Sequence, residues 1–102
     1  NQAIQWMLVD MACQVESATL LLYRAAKTMD EGANPVKAAA MAKLVATETC
    51  MDIAVKGIQI FGGYGYMMDS PMQRYFRDAK LTQIYEGTSE VQRMVIARDL
   101  LR

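Results

Sequence analysis

The stretch IQWMLVDMACQVESATLLLYRAAKTM, residues 4–29, decides the fold class. Its apolar residues Ile4, Met7, Leu8, Met11, Val15, Ala18, Leu22, Ala25, Ala26 and Met29 recur every three or four positions, the period of one buried helix face. Asp10, Glu16, Arg24 and Lys27 fall mostly off that stripe, and Asp30-Glu31-Gly32-Ala33-Asn34 supplies a glycine stop and a turn. Asn34 is placed to cap a second helix, with Pro35 at its first position, where the missing N–H would have had no partner. That helix is expected from Pro35 to Ile60 or Phe61, with a broad apolar face of Val36, Ala39, Ala40, Leu44, Ala46, Thr47, Met51, Ala54, Val55 and Ile58, and Lys43 on its edge.

Phe61-Gly62-Gly63-Tyr64-Gly65-Tyr66 ends the second helix, because so many glycines are poor in a helix and suited to positive φ. Ser70-Pro71-Met72-Gln73 reads as a capping box with proline at the first helical position, starting a short helix through about Ala79. Lys80 to Tyr85 is expected to be irregular. Ser89-Glu90-Val91-Gln92 is a second capping box, and Val91, Met94, Val95, Ala97, Arg98 and Leu101 continue in helical rhythm to the chain end. Short connections predict an all-α, up-and-down bundle of three long helices and one short one, filling one domain over residues 1–102.

Composition narrows the function. Eleven Lys and Arg balance eleven Asp and Glu, so no net field draws the chain to nucleic acid or an acidic membrane surface. Histidine is absent, and the two cysteines, Cys13 and Cys50, sit apart in helical patterns, which disfavours a disulfide scaffold or a zinc site and suits an intracellular setting. No apolar run is long enough to span a bilayer, so no membrane insertion is expected. The chain enters a helical pattern at once from Asn1, without a start Met, and reads as a segment of a longer protein.

Two segments look like more than connections. In Ile84-Tyr85-Glu86-Gly87-Thr88, apolar residues bring a carboxylate to a helix start. The helix dipole there favours an ionised carboxylate, whereas burial against apolar neighbours disfavours it, and burial is what tunes a carboxylate toward general-base work. On local grounds the simpler reading of Glu86 is an acid favoured near a helix start. Gly62-Gly63-Tyr64-Gly65 allows close backbone approach to a phosphate or cofactor, yet it follows a helix rather than a strand, which excludes the Rossmann fingerprint and leaves helix termination as the simpler reading. Capping accounts for Ser89, and Arg77-Asp78 reads as a structural ion pair or a cation at a helix end.

Taken together, Gln59-Ile60-Phe61-Gly62-Gly63-Tyr64-Gly65-Tyr66, then Arg77-Asp78-Ala79-Lys80, then the run from Gln83 through Glu86-Gly87-Thr88-Ser89-Glu90 to Arg93 closely resemble the C-terminal end of acyl-CoA dehydrogenases. The likeness reaches back to Gln2-Ala3-Ile4-Gln5 and so covers essentially the whole chain. It implies a flavoenzyme that oxidises the Cα–Cβ bond of an acyl-CoA to a trans-2-enoyl-CoA. Glu86 would remove the pro-R α-proton, Gly87 would lie against the acyl-CoA, and Thr88, Ser89 and Glu90 would form part of the FAD site. Gln59, Ile60, Phe61, Gly62 and Gly63 would touch the FAD of a neighbouring subunit in a homo-oligomer, a tetramer built as a dimer of dimers. The Tyr-Glu-Gly position of the base favours short-chain, medium-chain or short branched-chain groups.

The resemblance also implies electron-transferring flavoprotein as the acceptor, no metal, and a bacterial cytoplasm or mitochondrial matrix. The family's N-terminal helical domain, its middle β-domain and the first helix of the C-terminal domain are missing from this sequence, so the segment alone is expected to be inactive and to self-associate or be poorly stable. Two other readings stand beside this one: a non-catalytic helical oligomerisation module, and an acyl-CoA oxidase-like relative on the same fold.

Overall fold

The computed structural model describes all residues, 1–102, and is entirely helical: α1 (Gln2–Asp30), α2 (Val36–Phe61), the single turn α3 (Gly63–Tyr66), α4 (Pro71–Thr82) and α5 (Ser89–Leu100). Helix α2 starts one residue later than expected, with Pro35 at the cap position and not the first helical one, and Asn34 Oδ1 still accepts from Val36 N at 3.0 Å. Ser70 caps α4 through Met72 N, and Pro71 is the first residue of that helix. The helix then runs past the expected end at Ala79 to Thr82, since Lys80, Leu81 and Thr82 carry no helix breaker. With α4 extended, Arg77 and Asp78 lie inside it and form no ion pair, because adjacent helical residues point in different directions.

Every other helix packs on α2. Gln14 of α1 donates to Asp52 of α2 at 2.8 Å and Arg24 of α1 reaches Met41, so these two helices form an antiparallel pair. Between them Ala25, Ala38 and Ala42 form a small buried core, with Leu21 packed against it. Apart from Thr19, the half-buried and buried residues of α1 are Ile4, Met7, Met11, Gln14, Ala18, Leu21, Ala25 and Thr28, a seam with the 3.5-residue repeat of a coiled coil. Leu8, Val15, Leu22 and Met29, expected on the buried stripe, fall one position beyond the seam and are 52 to 63% exposed. Helix α1 thus carries two adjacent apolar stripes, and α2 covers only one.

Helices α4 and α5 both run antiparallel to α2: Lys43 meets the end of α4 at Thr82, Ser89 at the start of α5 meets Glu48, and Asp99 near its end pairs with Lys37 at 2.7 Å. The two helices therefore follow one another in the same direction along α2, and the connection Gln83–Thr88 displaces the chain sideways without reversing it. Neither makes a close backbone approach to α1, and an apolar groove of about 520 Å³ lies between α1 and α4, lined among others by Met11, Val15, Ile53, Met72 and Tyr75. No helix is long and apolar enough to cross a membrane.

The packing is open for the chain's size. A compact monomer of 11.4 kDa exposes about 5,800 Å²; this one exposes 7315 Å². Its radius of gyration of 15.9 Å likewise exceeds the roughly 13 Å of a compact domain of this length. Only alanines make up the fully buried hydrophobic set, and no large side chain is completely enclosed.

Candidate active site

The connection between α4 and α5 holds Glu86, and its backbone is unusual. Glu86 has φ 51°, making it the only residue other than glycine with positive φ, and Gly87 follows at φ 89°. A left-handed conformation costs a residue with a Cβ about 1–2 kcal/mol, and persists only where the surroundings fix it. They do so from three sides. From α2, Lys43 Nζ donates to the carbonyl oxygens of Thr82 (2.8 Å), Tyr85 (3.2 Å) and Gly87 (2.7 Å). From α5, Gln92 Nε2 donates to Gly87 O at 3.2 Å and Glu86 O at 3.4 Å. Within the loop, Ser89 N closes back onto Gln83 O at 3.0 Å.

Glycine is required at position 87 on two counts. Besides the positive φ, a Cβ there would stand 2.6 Å from Gln92 Nε2, the donor that holds the loop. Glu86 itself is exposed, as are Ile84 and Tyr85 at 54% and 49%, so the apolar cover expected around the carboxylate is not supplied by this chain.

The start of α5 departs from the expected capping. Thr88, not Ser89, is the cap residue: its backbone is extended, and its hydroxyl accepts from Val91 N at 3.2 Å. Ser89 is the first helical residue and is buried, with its hydroxyl donating to Glu48 Oε1 at 2.6 Å. Glu90 lies in the first turn, and its own backbone N–H, then the Thr88 hydroxyl, hold its carboxyl below the usual range. Thr88, Ser89 and Glu90, with Glu48, Lys80, Gln83, Ile84 and Arg93, line a polar cleft of about 280 Å³. Hydroxyls, an amide, two cations and two carboxylates in one open cleft suit a polar, hydrogen-bonding ligand.

The second candidate segment does not join this cleft. Gln59 lies about 16 Å farther along α2 than Glu48 at 1.5 Å per residue. Here Gly62 has φ 62°, ending α2 and allowing the chain to turn into α3. Gln59, Phe61, Gly62 and Gly63 are exposed and Ile60 half-buried, with Phe61 at 55%, so the segment faces outward and away from its own chain's Glu86 loop. No cluster of three or more His, Cys, Asp or Glu side chains is arranged to hold a metal.

Lys43 and Glu48 received no site role from the sequence and Gln92 only one in a capping box, although all three hold the site, Gln92 through Glu86 O and Gly87 O. The available signal was weak: Lys43 stands in the alanine-rich run of residues 38–46, but Glu48 is one of several polar residues in the helix.

Comparison with known proteins places the fold. The chain is 54% identical over 101 residues to the human mitochondrial short-chain specific acyl-CoA dehydrogenase, covering 99% of this chain and 24% of that one. It is 50% identical over 101 residues to subunit CarC of the caffeyl-CoA reductase–Etf complex of Acetobacterium woodii, covering 99% and 27%. The structure of butyryl-CoA dehydrogenase from Megasphaera elsdenii superimposes with a TM-score of 0.96 at 50% identity, over 99% of this chain and 26% of that one. An FAD complex of PigA matches with a TM-score of 0.93 at 30% identity, over 98% and 26%. The chain therefore spans about a quarter of the length of these relatives. Residues 1–101 match the family model described as the acyl-CoA dehydrogenase C-terminal domain, and with the all-helical fold and the relatives at half identity the chain belongs to the acyl-CoA dehydrogenase family.

Proposed function

We propose that this domain works inside a longer FAD-dependent acyl-CoA dehydrogenase, where Glu86 removes the pro-R α-proton of an acyl-CoA thioester. The observation that carries the reading is the fixed left-handed Glu86, a carboxylate held out from the fold in a strained conformation with its flanking carbonyls tied down. The Cα–H bond breaks toward the Glu86 carboxylate, the Cβ–H electron pair leaves as hydride, and a trans Cα=Cβ bond forms. The FAD that Thr88, Ser89 and Glu90 would help to hold would supply the two-electron oxidation, its N5 being the acceptor for that hydride. Gly87, lacking a side chain, lets the backbone lie close against the thioester. Thr88, Ser89 and Glu90 present the polar cleft to the flavin of the same subunit. Covering the exposed Glu86 with flavin and acyl chain excludes water from the proton transfer.

The outward-facing Gln59–Gly63 segment is assigned to the FAD of a neighbouring subunit, within a homotetramer arranged as a dimer of dimers. The exposed Phe61 and the large open surface support that assignment. The uncovered stripe of Leu8, Val15, Leu22 and Met29, and the groove beside it, are assigned to a preceding helix of the same domain. Electron-transferring flavoprotein is the proposed acceptor, supported by the relative in an Etf complex. A bacterial cytoplasm or the mitochondrial matrix is the proposed location, following the bacterial and mitochondrial relatives.

The test is anaerobic bleaching of flavin absorbance in the full-length protein on adding a panel of acyl-CoAs, with and without Glu86→Gln. Bleaching by the parent, with a variant that binds acyl-CoA but does not bleach, is the expected outcome. A variant that bleaches at the parent's rate places the base elsewhere, and a parent without flavin removes the dehydrogenase reading.

A further inference from the structure

The side chain that does most to shape the Glu86 loop lies outside it. Lys43 stands in the first third of α2, with Ala39, Ala40, Ala42 and Ala46 among the positions around it. Its half-buried ammonium has no carboxylate within ion-pair distance. All three of its N–H donors are used on main-chain carbonyl oxygens, those of Thr82, Tyr85 and Gly87. Thr82 ends α4, and Tyr85 and Gly87 flank Glu86 on either side. A half-buried cation costs free energy unless it is fully hydrogen-bonded. An apolar side chain would pack α2 against this loop equally well, but it would not orient three carbonyls.

We propose that Lys43 is a positioning residue for proton abstraction: by binding the Thr82, Tyr85 and Gly87 carbonyls it locks Glu86 in its left-handed conformation and so aims the carboxylate. The proposal rests on the assignment of Glu86 as the base. Gln92 holds the same segment from α5, bonding Glu86 O and Gly87 O, but Lys43 alone joins the end of α4 to both neighbours of the base. Without Lys43 the loop is free to relax toward negative φ at residue 86, which swings the Cα–Cβ bond away from its present direction. Displacing a catalytic group by about 1 Å lowers rates on the order of 100-fold.

The experiment uses the full-length flavoprotein and compares the parent with Lys43→Met, Lys43→Gln and Glu86→Gln by stopped-flow anaerobic flavin reduction at saturating acyl-CoA. Flavin content, acyl-CoA dissociation constant and the isotope effect with α-deuterated substrate are measured alongside. The expected result for Lys43→Met is reduction roughly 10- to 100-fold slower, a larger α-deuterium isotope effect, and unchanged flavin content and acyl-CoA affinity. Lys43→Gln, which keeps two N–H donors, should fall between it and the parent, and Glu86→Gln should not reduce. If both Lys43 variants reduce at the parent's rate while Glu86→Gln does not, the Lys43 inference fails and the base assignment stands. If Glu86→Gln reduces at the parent's rate, the base assignment fails and takes this inference with it. A slow Lys43 variant whose acyl-CoA affinity falls in parallel and whose isotope effect is unchanged has only a structural role there, which overturns the proposal. Should Lys43→Met lose its flavin, Lys43→Gln is read by the same criteria.

Discussion

Replacing Gly87 with alanine separates backbone strain from hydrogen bonding in the loop that holds Glu86. At φ 89° an alanine adopts a left-handed conformation, which costs about 1–2 kcal/mol. Its Cβ would also stand 2.6 Å from Gln92 Nε2, so the amide must move and give up its bonds to Glu86 O at 3.4 Å and Gly87 O at 3.2 Å. Two long neutral hydrogen bonds of this kind together contribute about 1 kcal/mol. The loop should therefore open more easily by about 2–3 kcal/mol, a roughly 30- to 150-fold loss of protection. Native-state amide hydrogen exchange at Ser89, whose N–H closes the loop onto Gln83 O, reads this opening directly. Gln92→Ala alone should lose about 5-fold, from about 1 kcal/mol. The double variant should match Gly87→Ala alone, since alanine at 87 has already displaced the amide. Parent-like protection in Gly87→Ala, or an equal loss in Gln92→Ala, refutes the reasoning.

Ser89→Ala should destabilise the packing of α5 on α2 by about 1–3 kcal/mol, because the half-buried Glu48 carboxylate loses its donor; the midpoint of denaturant unfolding measures it. The Asp52 carboxyl is held below its ordinary 3.8, first by the hydrogen bond from Lys56 and then by that from Gln14. A carboxylate lowered on folding stabilises the protein above its unfolded pKa, and that contribution is lost as pH falls below 3.8. Asp52→Asn should therefore flatten the acid limb of a stability-against-pH profile while lowering stability at neutral pH, and an unchanged acid limb would count against the ion pair as its source. Phe61→Asp should weaken subunit association roughly 10- to 100-fold, the scale of losing a buried phenyl ring, and release flavin in step. Analytical ultracentrifugation with absorbance at the flavin band follows both, and an intact, flavin-loaded oligomer would refute the interface.

The helices were legible because each begins and ends on local chemistry: Asn34 before Pro35, Ser70 before Pro71, and glycines at 32 and 62 are short-range signals that tertiary packing did not override. The end of α4 lies past Ala79 because nothing local stops a helix before Thr82, whose free carbonyl is taken by Lys43, thirty-nine positions away. Helix α5 continues along α2 without turning back because Ser89 is held at Glu48 and Asp99 at Lys37, a direction that loop length does not encode. The cap of α5 was placed one residue late because Thr88 and Ser89 both suit the position, and the choice falls to Glu48, which draws Ser89 inward. The buried stripe of α1 was drawn too wide, since an apolar pattern shows what can be covered and not which partner covers it. Leu8, Val15, Leu22 and Met29 are apolar for a neighbour other than α2. The family was readable from the motifs around Phe61 and Glu86, whereas the side chains that set the conformation of Glu86 became visible only in three dimensions.

Whether Glu86 takes the α-proton is tested most directly with the hydride step disabled. The full-length enzyme is pre-reduced so that its flavin accepts nothing, placed in D₂O with saturating acyl-CoA, and deuterium at the α-carbon is followed by mass spectrometry. The account predicts that the parent exchanges one α-hydrogen, the pro-R one, and that Glu86→Gln binds the same acyl-CoA without exchanging it. Exchange by the variant at the parent's rate would contradict it.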